Sequence, residues 1–247
     1  MPRFNLIIIG DELLNARRQD RHLANSIALL QARGLELYRS MVIGDTPELI
    51  IETLKYLRRE NDIVFCFGGI GATPDDYTRQ CAAKAFDVDL EVHEEGRQIL
   101  EKKFGEQTYP HRIELVTIPK GAILIPNFYN EIPGFSFENF HFLPGFPQMA
   151  ESMTAWVLDT YYQTLQPSAV SLRHTARIYG RGEGAFMELM NELLLQFPGV
   201  KLSCLPCIDH ERNFVDLSLS GATPDVNAAF SFMSNQLNEL AVEWEVC

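Results

Sequence analysis

The chain has 247 residues, 46% of them hydrophobic and 22% charged, which is enough to bury a normal core in one large domain or two unequal ones. Its 33 acidic residues against 21 lysines and arginines give a net charge of −12, which disfavours nucleic acid as a partner. The five cysteines form no paired framework, and no apolar run reaches the roughly 18 residues of a membrane-spanning helix. We therefore expect a cytoplasmic protein without a membrane partner.

The first part of the chain alternates strands and helices. Phe4–Ile9 is a continuous apolar run that ends at Gly10, which is typical of a strand buried on both faces. The elements predicted next are a helix over 20–32, a strand over 35–43, a helix opening at Thr46-Pro47, a strand over 63–67 and a helix from about 75 to 86. This β-α-β-α-β-α order predicts a mainly parallel sheet with helices on both faces.

The pattern changes near Gln166-Pro167-Ser168, which we interpret as a linker. Before it we predict a helix near 94–104, strands near 114–118, 122–125 and 140–143, and a helix over 148–165. After it we predict strands near 173–179, 200–205, 214–220 and 242–246, with helices over 185–196 and from Thr223-Pro224 onwards. The fold class expected is α/β: a three-layer α/β/α domain over residues 1–166, followed by a small α+β domain over 167–247.

Three strand ends deliver glycine and then carboxylate to the same edge of the predicted sheet. The first ends in Gly10-Asp11-Glu12, the second in Gly44-Asp45, and the third in the longer loop GGIGATPDD over residues 68–76. In an open parallel sheet, ligands bind outside the carboxyl ends of the strands. Because glycines let amide N–H groups approach a phosphate and carboxylates can hold a divalent ion, the pattern indicates phosphoanhydride chemistry.

The third loop also has a purely structural interpretation. Thr73 as N-cap, Pro74 at the first helical position and Asp76 two positions later would form a variant of the capping box. The loop is not a Walker loop, since no Gly-Lys-Ser/Thr follows, and it is not a dinucleotide fingerprint, since Pro74 stands in place of the third glycine. Taken alone, this loop leaves function and helix capping open.

Other candidates carry less specific signals. Arg17, Arg18 and His22 follow the first loop and could reach a phosphate, or could simply begin a solvated helix. The segment 143–147 (LPGFP) ends a strand and opens a helix, so the amide at Gly145 could also meet a ligand. Cys204 and Cys207 have redox or half-zinc spacing, but no second pair completes a site, and half-buried thiols are the simpler interpretation.

Four of these segments together resemble a known family. The motifs at 9–14 (IGDELL), 42–45 (VIGD), 68–78 (GGIGATPDDYT) and 143–147 (LPGFP) are similar to the molybdopterin-binding (MoaB/Mog-like) domain family. The likeness is to the N-terminal part of the competence/damage-inducible protein CinA and to the related domain of eukaryotic FAD synthase. It covers about residues 4 to 165, and the rest is similar to the small middle domain of CinA.

The resemblance implies a three-layer domain, often dimeric or trimeric, that binds molybdopterin or hydrolyses nucleotide pyrophosphates such as ADP-ribose or FAD with a divalent metal. By motif position, the catalytic acids fall on Asp45 and Asp76, and the metal would lie among Asp11, Asp45 and Asp76. The expected ligand- or phosphate-binding residues are Gly10, Gly68, Gly69, Ile70, Gly71, Ala72, Thr73, Thr78 and Gly145. This chain departs from the family in having Ala72 where proline is common, and Asn15-Ala16 where glycine often occurs.

Three functions are compatible with these residues. The leading one is a nucleotide pyrophosphatase that needs Mg²⁺, Mn²⁺ or Co²⁺ and acts on an ADP-ribose-like or FAD-like substrate. The alternative is a molybdopterin-binding or pterin-binding protein of molybdenum cofactor biosynthesis, with adenylyl transfer or binding only. A second alternative is a non-catalytic nucleotide sensor. In each case we expect a small phosphorylated ligand and a homo-oligomer.

Overall fold

The computed structural model describes residues 2–165, 171–207 and 212–247 of the chain. The chain divides into two compact units, residues 1–166 and residues 167–247. Each unit has its own hydrophobic core, as is usual for a domain. The segment 166–168, interpreted above as a linker, lies outside the described residues.

The first unit alternates strands and helices over most of its length. Its elements in chain order are β1 (Phe4–Ile9), α1 (Asp11–Leu14), α2 (His22–Gln31), β2 (Leu37–Ile43), α3 (Pro47–Glu60), β3 (Ile63–Phe67), α4 (Thr78–Phe86), β4 (Leu90–Val92), α5 (Glu94–Phe104), β5 (Thr117–Pro119), β6 (Ile123–Ile125), β7 (Gly134–Phe137), β8 (Phe140–Leu143) and α6 (Pro147–Tyr161).

A six-stranded sheet with the order β2-β1-β3-β8-β7-β6 forms the middle layer of this unit. The strands β2, β1, β3 and β8 are parallel, whereas β7 runs antiparallel to both of its neighbours, β8 and β6. The chain passes from β1 to β2 on one side and then returns to β3 on the other side of β1, so the direction of winding reverses there. The loops after these strands therefore meet where α/β sheets usually bind ligands.

Two hydrophobic cores cover the two faces of the sheet, because side chains alternate along each strand. Ile7 and Ile9 of β1 pack with α3 and α4 on one face, and Leu6 and Ile8 pack with α2 and α6 on the other. The helix α3 buries residues at helical spacing, namely Ile50, Leu54 and Leu57. The predicted three-layer α/β/α architecture with a mainly parallel sheet is confirmed.

Several local elements differ from the sequence-based expectation, including the unpredicted short elements α1 and β4. The sequence pattern does not reveal β7, which pairs with β8 and is only four residues long. Residues Arg112–Val116 form a 3₁₀ helix instead of a strand, and β5 pairs with β4 in a separate two-stranded sheet. The helix α4 begins at Thr78 instead of near residue 75, because residues 73–76 close a turn of their own.

The second unit is a small α+β domain, as predicted. It consists of β9 (Ser171–Tyr179), α7 (Met187–Gln196), β10 (Lys201–Cys207), β11 (Phe214–Ala222), α8 (Thr223–Glu239) and β12 (Trp244–Val246). The strands form an antiparallel sheet with the order β10-β11-β9-β12. Buried side chains alternate along β11 and pack with α7 and α8, which cover one face.

The two cysteines with motif-like spacing lie on β10. Residues three positions apart on a strand point to opposite faces of the sheet. Accordingly, Cys204 packs against the core of this unit and Cys207 is exposed. The two thiols therefore do not converge on a common site, which agrees with the simpler interpretation of this pair. No helix in the described ranges is both long enough and apolar enough to cross a bilayer.

A buried histidine links three elements of the first unit. The Nδ1 atom of His141 lies 2.8 Å from the Ser136 hydroxyl, and its Nε2 atom lies 2.7 Å from the Tyr162 hydroxyl. His141 is 2% exposed, and burial lowers the pKa of its ring from 6.5 to about 3. The neutral ring, with one donor and one acceptor nitrogen, thus joins β7, β8 and the end of α6.

This depressed pKa predicts a pH-dependent stability. Below pH 6.5 the histidine of the unfolded chain binds a proton, whereas the ring in the folded protein stays neutral down to about pH 3. The free energy of unfolding therefore decreases as the pH falls. The expected loss from this group is about 1.4 kcal/mol per pH unit inside that window, or roughly 2 kcal/mol between pH 6.5 and 5. Urea unfolding of wild type and His141→Gln at both pH values measures it, since glutamine keeps hydrogen-bonding groups but does not titrate. Equal pH slopes for the two proteins would contradict the prediction.

Candidate functional site

A pocket with a volume of about 430 Å³ opens at the carboxyl ends of β1, β2, β3 and β8. Each of the loops that follow these strands contributes to its lining, as the sequence predicts for the first three. Of the predicted site residues, those that line it are Gly10, Asp45, Gly68, Gly69, Ile70, Gly71, Ala72, Thr73, Asp76 and Gly145, whereas Asp11 and Thr78 do not.

The glycine loop presents its backbone to this pocket. Gly68 has φ +102° and Gly69 has φ +67°, a region that side chains disfavour. A Cβ atom on Gly68 would lie 2.3 Å from the Ile9 carbonyl oxygen, so only glycine permits this contact with the end of β1. Among the described residues, no hydrogen-bond acceptor meets the four consecutive amides from Gly69 to Ala72. The loop therefore holds a row of free N–H donors, which is the usual form of an anion-binding nest.

Thr78 supports the loop from below. Its hydroxyl donates to the Gly68 carbonyl at 3.0 Å, and its amide donates to the Gly69 carbonyl at 3.0 Å. The side chain is fully buried, and a Cβ atom on Gly69 would lie 2.2 Å from its Oγ1. The structure thus places this predicted ligand-binding residue behind the loop, where it holds the two glycine carbonyls away from the pocket.

Arg79 provides a second support that the sequence motif does not indicate. Its Nη2 atom donates to the Gly71 carbonyl at 2.8 Å, and its Nη1 atom donates to the carbonyls of Thr117 and Glu114. The residue is 2% exposed, and burial lowers the pKa of its guanidinium against the opposing effect of the Glu114 carboxylate. The buried arginine thus ties the Gly71 carbonyl of the loop to the backbone of residues 114–117.

Asp76 closes a turn instead of capping a helix. Its Oδ2 atom accepts the Thr73 amide at 2.9 Å and also the Thr73 hydroxyl, while its own amide donates to the Thr73 carbonyl at 3.0 Å. The N-cap position of α4 falls on Tyr77, so the capping-box interpretation of Thr73, Pro74 and Asp76 is wrong. The carboxylate shapes the loop two residues before α4 begins, and Asp76 also lines the pocket.

Asp11 and Asp45 tie the first two loops together. The Asp11 amide donates to Asp45 Oδ2 at 2.9 Å, and the Asp45 amide donates to Asp11 Oδ1 at 3.3 Å. Burial raises the pKa of the Asp45 carboxyl, and the negative charges of Asp11, Glu12 and Asp75 raise it further. A Cβ atom on Gly44 would lie 2.5 Å from Asp11 Oδ1, which explains the glycine before Asp45.

The acidic side chains do not assemble a metal cage by themselves. In the part of the chain that the structure describes, no group of three or more His, Cys, Asp or Glu side chains is placed to hold a metal ion. Asp11 lies outside the pocket lining, whereas Asp45 and Asp76 belong to it. A magnesium-like ion is commonly held by one or two carboxylates together with substrate phosphates. This pair fits such shared coordination, and the metal stays a prediction.

Two further segments contribute to the pocket lining. After β8, Gly145 and Phe146 lead into α6, and a Cβ atom on Gly145 would lie 3.4 Å from the Gly68 Cα. Between β6 and β7, Asn127 accepts the amides of Tyr129 and Asn130 at 3.0 and 3.4 Å and so holds a compact loop. No sequence motif predicts this second segment, because the loop conformation brings its residues to the pocket.

Of the candidates Arg17, Arg18 and His22 after the first loop, only Arg18 lines the pocket. It is the sole lysine or arginine among the lining residues described. His22 is buried and stacks on Phe67 with ring centroids 4.5 Å apart. Burial lowers the pKa of His22, so its ring is neutral at pH 7. Asp20 Oδ1 accepts the amide of His22 at 2.8 Å at the start of α2, and Asp20 does not belong to the pocket lining.

Comparison with known proteins identifies the family. The family described as "Probable molybdopterin binding domain" matches residues 5–164, which include all four loops of the pocket. The chain belongs to the molybdopterin-binding domain family. The resemblance drawn from the four sequence motifs is therefore confirmed.

Similar proteins add the branch within the family. A CinA-like protein of Kosmotoga olearia is 31% identical over 195 residues, which cover 76% of this chain and 46% of that protein. A protein of Pyrobaculum calidifontis is 27% identical over 213 residues, which cover 83% of this chain and 81% of that protein. The chain thus spans about half the length of the CinA-like relative.

A solved structure agrees with this assignment. The crystal structure of the protein CinA from Thermoplasma acidophilum, described as having unknown function, superposes with a TM-score of 0.58 at 26% identity. The likeness covers 64% of this chain and 96% of that one. These comparisons place the chain on the CinA-like branch of the MoaB/Mog-like domains.

The packing of Gly69 on Thr78 yields a direct test of the loop. We expect Gly69→Ala to lower the free energy of unfolding by about 2–4 kcal/mol, since it adds a clash with a hydrogen-bonded, buried side chain to the cost of a positive φ. Gly121→Ala is the matched control, because Gly121 also has a positive φ, +84°, but has open space around a Cβ atom. Urea unfolding should show a loss of only about 1–2 kcal/mol for the control. Equal losses would contradict the close approach described here.

Proposed function

We propose that this protein is a metal-dependent nucleotide pyrophosphatase whose pocket holds the diphosphate of an ADP-ribose-like or FAD-like substrate. The observation that carries the proposal is the row of four amides from Gly69 to Ala72, which lines the pocket and meets no acceptor among the described residues. A single unpaired amide in a water-accessible loop costs little free energy, because water can accept its hydrogen bond. Several such amides in succession favour the binding of a phosphoryl group.

A second group of donors lies directly beside the first. The helix α6 has 15 residues and no side-chain cap at its N-terminus, where Gly145 and Phe146 face the pocket. The positive end of the helix dipole favours an anion at this position. Because a Cβ atom on Gly145 would lie 3.4 Å from Gly68, the two donor groups adjoin each other. Two adjoining donor groups suit two linked phosphoryl groups, which favours a diphosphate over a monophosphate.

The charge of the pocket explains why a cation would be required. Its lining holds four acids, Glu12, Asp45, Asp75 and Asp76, against the single basic residue Arg18. A diphosphate entering this environment would be repelled unless a cation balanced the carboxylates. A divalent ion shared between a carboxylate and the phosphates would polarise a phosphoryl oxygen and lower the pKa of a bound water.

Asp45 is the residue best placed to move a proton. It is half-buried, lines the pocket, and has a pKa raised by burial and by neighbouring negative charges, which makes the carboxylate more basic than an exposed one. We propose that it accepts the proton of the attacking water. Asp76 keeps one oxygen on Thr73 and offers the other to the ligand side. Arg18 would hold the outer oxygens of the diphosphate.

The test is release of AMP from ADP-ribose or FAD in the presence of Mg²⁺, Mn²⁺ or Co²⁺, followed by chromatography. We expect Asp45→Asn to lower kcat by about 10²-fold or more, as for loss of a general base. Asparagine keeps an oxygen that can accept the Asp11 amide, so the change removes the charge and preserves the loop contact. Asp89→Asn, at an exposed position outside the pocket, is the matched control and should keep wild-type activity.

The same assay decides against the proposal in two ways. Activity of the wild type no higher than that of Asp76→Asn would exclude hydrolysis at this site. Full activity of Asp45→Asn would exclude the role given to that carboxylate.

A second candidate function is supported by the family itself, which is named for molybdopterin binding. In that case the glycine loop would hold the phosphate of a pterin, and chemistry would be adenylyl transfer or absent. Molybdopterin that co-purifies or protects the protein against heat, without any nucleotide turnover, would favour it. The third candidate is a non-catalytic nucleotide sensor. It is favoured if the protein converts neither nucleotides nor molybdopterin and if the Asp45→Asn variant keeps its affinity for the ligand.

A further inference from the structure

Phe146 is an exposed aromatic residue at the edge of the pocket. It occupies the N-cap position of α6, is 53% exposed, and forms part of the pocket lining. Within the ranges that the structure describes, its ring faces no other ring and no cationic group. An isolated exposed phenylalanine is common on protein surfaces, but one inside a ligand pocket offers a free π-face.

Besides Phe146, uncharged side chains of α6 and of the loop between β6 and β7 line the pocket. Met149, one helical turn further along α6, lines it from the same side, and Ile132 and Pro133 line it from the loop between β6 and β7. The Asn130 side-chain amide donates to the Met149 sulfur at 3.5 Å, which joins the two sides. Asn127 and Asn130 of the same loop also line the pocket, so the lining contributed by this loop and α6 combines apolar and amide side chains and carries no charge.

We propose that Phe146 is a stacking platform for a flat heteroaromatic group of the ligand. The inference rests on the proposed function in so far as the glycine loop holds the phosphate. Phe146 directly follows Gly145, where a Cβ atom would lie 3.4 Å from the Gly68 Cα, so the platform lies close to the start of the glycine loop. A ring that stacks there would be joined to a phosphate on the loop by a short linker such as a sugar. The ligand class is therefore a heteroaromatic ring, a short polar linker and a phosphate, as in a nucleotide, a flavin nucleotide or a phosphorylated pterin.

The neighbouring loop supplies an internal comparison. Phe128 and Tyr129 are 69% and 67% exposed, yet neither lines the pocket. If exposed aromatic residues in this region bound ligands only through non-specific hydrophobic contact, replacing Phe128 or Phe146 by alanine would change ligand affinity to the same extent. The stacking role predicts that only Phe146 distinguishes ligands with a ring from ligands without one.

The experiment compares AMP with ribose 5-phosphate, which share the sugar and phosphate and differ only in the base. Isothermal titration calorimetry is performed on the full chain with Mg²⁺, and AMP contains no phosphoanhydride bond that could be hydrolysed. We expect Phe146→Ala to weaken AMP binding by about tenfold or more, the usual effect of losing one base-stacking side chain. Binding of ribose 5-phosphate should change by less than about twofold, since its phosphate contacts remain. Phe146→Tyr should keep the affinity for AMP, and Phe128→Ala should change neither ligand. FMN and a phosphorylated pterin, titrated in the same way, identify which ring binds most tightly.

The outcomes are distinct. A tenfold loss for AMP alone supports the platform. An equal loss for both ligands, no loss for either, or a wild type that binds ribose 5-phosphate as tightly as every ring-containing ligand would overturn it. Absence of AMP release from ADP-ribose, with this binding pattern intact, would overturn only the pyrophosphatase activity.

Discussion

The pocket depends on one backbone contact, the approach of Gly68 to the end of β1. Its amide donates to the Leu143 carbonyl at 3.0 Å, its carbonyl accepts the Thr78 hydroxyl at 3.0 Å, and its missing side chain leaves room for the Ile9 carbonyl. The ends of β1, β3 and β8 and the start of α4 therefore meet at one residue. Three neighbours therefore fix the position of Gly68, and the row of free amides begins at the next residue.

The carboxylates of this edge serve the architecture as well as the chemistry proposed. Asp45 accepts the amide of Asp11, and Asp76 accepts the amide of Thr73, so each acid shapes a loop that borders the pocket. The same contacts keep both charges close to the anion-binding backbone, where they raise the electrostatic cost of binding a phosphate alone. The arrangement favours a ligand that brings a cation with it, and it explains why acids and glycines occur together at successive strand ends.

Much of the fold follows from local sequence signals. Continuous apolar runs, helical spacing of Ile50, Leu54 and Leu57, and glycine-terminated strands predict the three layers and place the glycine loop at the ligand edge. The role of Thr78 could not be predicted from the sequence, because a threonine that binds a ligand and a threonine that supports a loop can occupy the same position in a motif. Arg79 belongs to no motif, since two of its three carbonyl partners lie 35 and 38 residues away along the chain. The capping interpretation of Thr73 failed because the Asp76 carboxylate closes a turn before the helix begins.

The most direct test of the account is an NMR titration of the ¹⁵N-labelled Asp45→Asn variant, in which ADP-ribose is expected to survive, with ADP-ribose and Mg²⁺. If the free amides hold the diphosphate, the resonances of Gly69, Ile70, Gly71 and Ala72 should show the largest shifts, accompanied by Gly145 and Phe146 on the adjoining helix. The amides of Gly68 and Thr78, which already donate to carbonyls, should move less. Saturating ligand that leaves the four loop amides unchanged, while resonances elsewhere shift, would contradict the central claim.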